Sequence, residues 1–360
     1  MKTTRTTATL LAFLLTLGFS ATQAFSAPID PKGVPADAIG IVHFDVALAA
    51  KSALVPALKQ LAQKQNKDSA QDLEKWQKLT GIDPEKDIHG ATIAFIKPAD
   101  TGEPRPRFAG PALPTYATII RGNFSPDKII SAAKSAKELK ATVATRGSLT
   151  IITIPPTKKP DPFADPDNPP APEQPADAES NDSESNDSDD PDNKPTYAAI
   201  VDKGTILLAP SLDTIDKIAA TLAGKNKSYT LPDSLTAFGK KEGSPMLLGY
   251  MSGEASGSAA MMMGDQPKNT FIFLGEKGAA LRFHILAEFL SAKAAADSQK
   301  NLQGLLAMLP MMAMQARTPD QSASAKKAMD VLKSLKVTTD AANLSILFEH
   351  PVADLIELMK

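Results

Sequence analysis

The chain has 360 residues, with 39 basic and 41 acidic side chains, a formal charge of −2, and no cysteine. The missing thiols exclude disulfides, Cys-ligated metal centres and a lipoprotein anchor, which needs a Cys just after the cleavage site. Aromatic content is low and no basic stripe interleaves with aromatics, which argues against nucleic-acid binding.

Residues 1–24 read as a cleavable signal peptide. Lys2 and Arg5 form a cationic start, and Ala8 to Phe19 is uncharged and rich in Leu, Ala and Phe. Thr22-Gln23-Ala24 then places small residues at the −3 and −1 positions, so the mature chain is expected to begin near Phe25. The apolar run is shorter than the ~20 residues a membrane span needs. The same holds for Leu305 to Met314, which also contains Pro310. The expectation is a periplasmic or secreted protein with no stable membrane insertion after cleavage.

Strand Ala38–Phe44 comes next, followed by an amphipathic helix from Val46 to about Gln65 with Leu48, Leu54, Val55, Leu58 and Leu61 on one face. A short helix carries Trp76 and ends at Gly81. Strands Ala91–Ile96 and Tyr116–Arg121, helix Pro126–Lys140 and hairpin Thr142–Ile154 complete the first part of the body, residues 25–159.

Residues 160–193 hold twelve Asp or Glu and no Lys or Arg. High charge with few apolar residues cannot offset the entropy of ordering, so this acidic, Pro-, Asp- and Ser-rich insertion is expected to be disordered. Its removal, with the leader's, leaves 37 basic against 29 acidic residues, so a body of about +8 stands beside a segment of −12. An internal echo decides how the insertion is placed. Pro114-Thr-Tyr-Ala-Thr-Ile-Ile recurs as Pro195-Thr-Tyr-Ala-Ala-Ile-Val, and both copies lead to helices opening Ser125-Pro-Asp and Ser211-Leu-Asp. In each, Ser suits an N-cap and Asp the first turn. The insertion is therefore expected to be an overgrown hairpin loop between paired strands, not a border between domains. Residues 194–242 continue the first body with strands Tyr197–Val201 and Thr205–Ala209 and helix Leu212–Leu222.

Residues 243–360 form a second, Met-rich α+β half. It contains strand Met246–Met251, a hairpin of Phe271–Leu274 with Ala280–Leu286, helices near 291–316 and 322–335, strand Ala342–Phe348 and a closing helix Val352–Met359. The whole reads as α+β, with mostly antiparallel sheet built from repeated strand-strand-helix units and helices covering one face.

No catalytic pattern emerges. His43, His89, His284 and His350 are dispersed, and none lies in an HExxH motif. His43 and His284 fall inside strands, where a structural role fits. Asp45 shares a face with His43, yet no nucleophile accompanies the pair. Ser252-Gly-Glu-Ala-Ser-Gly-Ser258 matches neither a nucleophile elbow nor a phosphate loop. No cofactor is expected.

Methionine placement is the unusual feature. Of twelve Met, all but the first follow residue 245, among them Met261, Met262, Met263, Met308, Met311 and Met312. Thioethers fill adaptable apolar grooves and also ligate Cu(I). Leu302, Leu305, Leu306, Leu309 and Met312 keep helical spacing, which fits ordinary packing. Packing, an apolar-ligand or partner groove, and copper remain three readings of these six Met.

Val34-Pro-Ala-Asp-Ala-Ile, Leu79-Thr-Gly-Ile-Asp-Pro-Glu-Lys-Asp-Ile and Gly122-Asn-Phe-Ser-Pro-Asp-Lys-Ile occur in that order. In this the chain resembles a broad group of signal-peptide-bearing proteins of planctomycete-like bacteria. The resemblance implies no activity and no site. The sequence thus leads to an exported, non-enzymatic protein with a binding or structural role, acting through a surface groove or a protein partner such as another envelope protein. Apolar-ligand or Cu(I) binding by the Met-rich C-terminal part is an alternative. The competing expectation is a hydrolase whose residues converge only in three dimensions.

Overall fold

The computed structural model describes residues 29–54, 56–57, 77–78, 80–97, 114–136, 140–156, 195–255, 265–313, 331 and 333–358. The acidic insertion and Met261–Met263 lie outside the described residues. Among the described residues, twelve strands form one sheet. The first seven are β1 (Ala38–Asp45), β2 (Ile88–Ile96), β3 (Thr115–Gly122), β4 (Thr142–Arg146), β5 (Leu149–Ile154), β6 (Thr196–Asp202) and β7 (Thr205–Ala209). The other five are β8 (Pro245–Ser252), β9 (Asn269–Lys277), β10 (Ala280–Glu288), β11 (Leu335–Asp340) and β12 (Asn343–Pro351). Their order across the sheet is β4-β5-β6-β7-β3-β2-β1-β8-β9-β10-β12-β11. Every pairing between these strands is antiparallel.

Seven α-helices among the described residues join them: α1 (Val46–Ala49), α2 (Pro84–Asp87), α3 (Pro126–Ser135), α4 (Leu212–Leu222), α5 (Asp233–Glu242), α6 (Ala292–Ala313) and α7 (Val352–Leu358). The expected α+β class is observed. Hairpins β2-β3, β6-β7, β9-β10 and β11-β12 each run into a helix, α3, α4, α6 and α7 respectively. Residues 155–195 connect two neighbouring antiparallel strands, since Thr150 to Ile154 of β5 pair with Ile200 to Thr196 of β6.

The helices occupy both faces of the sheet, not one. Ile119 and Ile120 are consecutive on β3, so they point to opposite sides. Ile119 belongs to the main core with Ile41, Ala94, Leu207, Phe271 and Phe273, closed over by Ile215 and Ile218 of α4 and Leu235 and Phe238 of α5. Ile120 packs on the other side with Val46 of α1, Phe124 and Ile129 of α3. Farther along, α6 covers Ala287, Leu344 and Val337. Helices on both faces let central strands such as β1, β2 and β3 keep apolar residues on both sides, which a simple alternation would not reveal.

Three elements differ from expectation. The helix beginning at Val46 stops after four residues. Asp45 caps it through Leu48 N–H at 2.8 Å, and the chain turns at Ser52, whose hydroxyl accepts from Leu54 N–H at 3.2 Å and donates to Glu276. Most of 55–76, including Trp76, lies outside the described residues. Strand β11 begins at Leu335, where the end of a helix was expected. Its hairpin turns through Ala341 at φ 49°, a left-handed position held by a residue that does not advertise a turn. Helix α5 was absent from the sequence map, and it positions the polar cluster described below.

Candidate functional site

The first candidate is a groove of about 650 Å³ at the end of the sheet where β1 and β9 begin and β8 ends. Its volume is in the range of small-ligand sites. The groove is lined by Ala38, Ile39, Tyr229, Tyr250 and Leu290, with the polar Ser252, Glu254, Gln266, Lys268 and Asn269 among them. Tyr229 is brought there by the loop after α4, tied to the chain before β1 by Tyr229 N–H to Val34 carbonyl at 2.8 Å and by a Pro35–Ser228 bridge. Tyr250 packs its ring on Phe271 at 5.5 Å and donates its hydroxyl to Asn269 Oδ1 at 2.9 Å. Asn269 Nδ2 donates in turn to Glu288 at 2.8 Å, which fixes the amide orientation.

Burial, with a smaller contribution from Tyr250, pushes the Tyr229 phenol up to about 12. Burial, followed by the nearby Glu288 charge, raises that of Tyr250. Both phenols stay neutral, as hydrogen-bond donors on apolar rings. At the rim Leu290 is 85% exposed, and Lys97 pairs with Glu254 at 3.0 Å. The chemistry offered is an apolar, aromatic wall with neutral donors, bordered by the charged Glu254 and Lys268. It suits binding, not proton transfer.

The second candidate is a polar cluster under α5. Glu242, the last residue of that helix, is 2% exposed. Its carboxylate sits at the negative end of the helix dipole, so it needs cations. Arg282 Nε lies 2.7 Å from Glu242 Oε2, and His284 Nδ1 lies 2.9 Å from Oε1. These are ion-pair distances whose angles depart from those of well-aligned hydrogen bonds. Arg282 also reaches Glu349 at 3.0 Å, and His284 Nε2 lies 2.8 Å from Ser345 Oγ. Helix α5 can settle this close because Gly239 faces Leu248, where a Cβ would come within 2.8 Å of its Cδ2. Gly243 then ends the helix at φ 118°.

Burial holds His284 below the ordinary imidazole value, outweighing the raising effect of Glu242. The folded state therefore resists protonation, while the unfolded chain takes up the proton near pH 6.5. Stability is fully present above that pH and is lost as pH falls from it toward the lower folded value. Urea midpoints at pH 7.5 and pH 5 should drop more for the native sequence than for His284→Gln, and equal drops would contradict this assignment.

The remaining histidines are structural or peripheral. His43 Nδ1 meets Thr92 Oγ1 at 2.9 Å inside the core, and Asp45 caps α1. His350 stacks on Phe348, and His89 meets Asn123 at the surface.

The six methionines named above are not brought together by the described residues. Met308 is 55% exposed on α6 and lines no part of the groove, and Met311 and Met312 belong to the last turn and a half of that helix. Met261, Met262 and Met263 fall outside the described residues, but the chain leaves the groove rim just after Glu254 and returns to it at Gln266. Sequence reasoning missed Tyr229, Tyr250 and Leu290, because nothing local marks a tyrosine as groove-lining. The available signal for Glu242 was Pro232 before and Gly243 after a segment with Asp233 in its first turn and Lys240-Lys241 in its last.

Among the described residues no helix is long and apolar enough to cross a membrane. No protein-family model and no curated protein matches the sequence. Three crystal forms of TP0453 are similar to the chain in structure. Form I has a TM-score of 0.42 at 10% identity, covering 93% of this chain and 98% of that one. Form III has 0.47 at 10%, covering 92% and 98%, and form IV 0.43 at 11%, covering 94% and 99%. At these values no residue or role is carried across. The fold and sites define an α+β protein built on one twelve-stranded antiparallel sheet, with a groove at one end and a buried charge cluster under α5.

Proposed function

We propose that the protein is an exported binding protein whose sheet-end groove takes an apolar or aromatic segment of an envelope partner, or an apolar small ligand. The observation that carries this reading is the wall formed by Tyr229, Tyr250 and Leu290 beside neutral hydrogen-bond donors. Tyrosines supply contact area with little entropy to lose, and Leu290 adds an exposed apolar edge beside them. The leader supports delivery to the envelope, where such a partner would be met.

The test uses a fluorescent apolar probe, 1-anilinonaphthalene-8-sulfonate, with the mature protein. Leu290→Asp should weaken binding about tenfold, equivalent to roughly 1.4 kcal/mol, without changing the urea midpoint, since Leu290 is 85% exposed. Unchanged probe affinity in that variant would remove the groove from consideration.

A further inference from the structure

Ser345, His284 and Glu242 come from three elements, β12, β10 and α5, and meet at one place. Ser345 Oγ is hydrogen-bonded to His284 Nε2 at 2.8 Å, and His284 Nδ1 lies 2.9 Å from Glu242 Oε1, an electrostatic contact outside hydrogen-bond angles. Arg282 holds the far carboxylate oxygen at 2.7 Å, and the Phe238 ring lies 5.2 Å from the imidazole. None of these residues lines the groove. We propose that Ser345 is an activated nucleophile and that the sheet face around it is an acyl-transfer site for small, unhindered esters.

The tautomer follows from the neighbours. Glu242 carries its charge against Arg282, so a neutral His284 places its proton on Nδ1, facing that carboxylate. Nε2 is then left with its lone pair toward the Ser345 hydroxyl, which donates to it. This is the order of groups that makes a serine a nucleophile. His284 is 8% exposed while Ser345 is only partly covered, so the base is shielded and the hydroxyl can be reached.

In the proposed step Ser345 Oγ bonds to the ester carbonyl carbon as its proton passes to His284 Nε2. The C–O bond to the leaving alcohol breaks, and that alkoxide takes the proton back from His284. Water, deprotonated by the same nitrogen, then adds to the acyl carbon, the bond to Ser345 Oγ breaks, and Oγ takes the proton back from His284 as the acid is released. Glu242 and Arg282 are positioning residues. Strand β12 is paired on both sides, so its backbone amides serve the sheet and form no oxyanion hole. The available donors are side chains on β11: Thr338 stands opposite Ser345, and Lys336 lies two residues along on the same face. Oxyanion stabilisation is commonly the largest catalytic contribution, so acylation should be measurable and turnover slow.

The experiment treats the mature protein with a fluorophosphonate probe and with p-nitrophenyl acetate. Expected results are a single adduct mapped to Ser345, no adduct in Ser345→Ala, and acylation roughly 100-fold faster than in His284→Gln. The labelling rate should fall as pH is lowered through the His284 titration. The charged groups acting on that ring are Glu242 and Lys241 from α5 and Arg282 on its own strand, with Glu349 on β12 reached through Arg282. Because His284→Gln can disturb folding, Ser345→Cys gives a second reading. The thiol of that variant should react with iodoacetamide faster at pH 6.5 than a free cysteine does. No labelling of the folded native protein, labelling that persists in Ser345→Ala, or ordinary thiol pH dependence in Ser345→Cys would each overturn the proposal.

Discussion

Arg282→Ala is expected to lower unfolding stability by about 3–5 kcal/mol, because it leaves a carboxylate buried without its principal cation. Glu242 is 2% exposed and ends α5, where the helix dipole already opposes its charge. The Arg282 side chain, 15% exposed, touches both Glu242 and Glu349, so two acids lose their partner at once. His284 would inherit part of the load. With the Arg282 charge gone, its pKa should rise, since that guanidinium is one of the influences holding it down. A double variant distinguishes an unpaired charge from lost packing. Glu242→Leu with Arg282→Met removes both charges and should recover most of the stability, as replacing a whole buried pair commonly does. Urea denaturation of the two single variants and the double variant closes the cycle. Additive losses would contradict the coupling.

Phe271→Ala should cost about 3–5 kcal/mol and should also weaken the groove. Phe271 is 1% exposed in the main core. Its ring lies 5.6 Å from Phe238 of α5 and 5.5 Å from Tyr250, so it touches both the helix that carries Glu242 and the wall of the groove. Truncation opens a cavity on the buried side of Tyr250. The ring can then sink inward, breaking its 2.9 Å hydrogen bond to Asn269. The expected signature is a loss of stability together with weaker probe binding at urea-free conditions where the variant is still folded. By contrast, Phe124→Ala should lower stability without touching probe affinity, because Phe124 packs in a separate cluster on the opposite side of the sheet that contains no groove residue.

Most strands were legible in the sequence because most hairpins keep turn residues between β-branched runs. Thr205–Ala209 and the turn at Gly147, with φ 61°, are cases where local chemistry settles the structure. The paired strands on either side of the acidic insertion were legible from the echo of Pro114-Thr-Tyr-Ala in Pro195-Thr-Tyr-Ala. What escaped had no local sign. Helix α5 buries only Leu235, Phe238 and Gly239 before Glu242, too thin an apolar stripe to register as helical spacing. Strand β11 turns through Ala341 without glycine or asparagine. The candidate sites escaped for a different reason. His284, Ser345 and Glu242 are separated by dozens of residues, and only the strand order β9-β10-β12, with α5 laid across it, brings them into contact.

The groove at the sheet end is proposed above all as a binding surface. Native mass spectrometry of the protein purified from the cells that make it tests this most directly, with Leu290→Asp prepared in parallel. The predicted result is a retained apolar ligand or protein partner on the native chain and its loss from the variant. A bare chain in both preparations, or the same bound species on both, would contradict it.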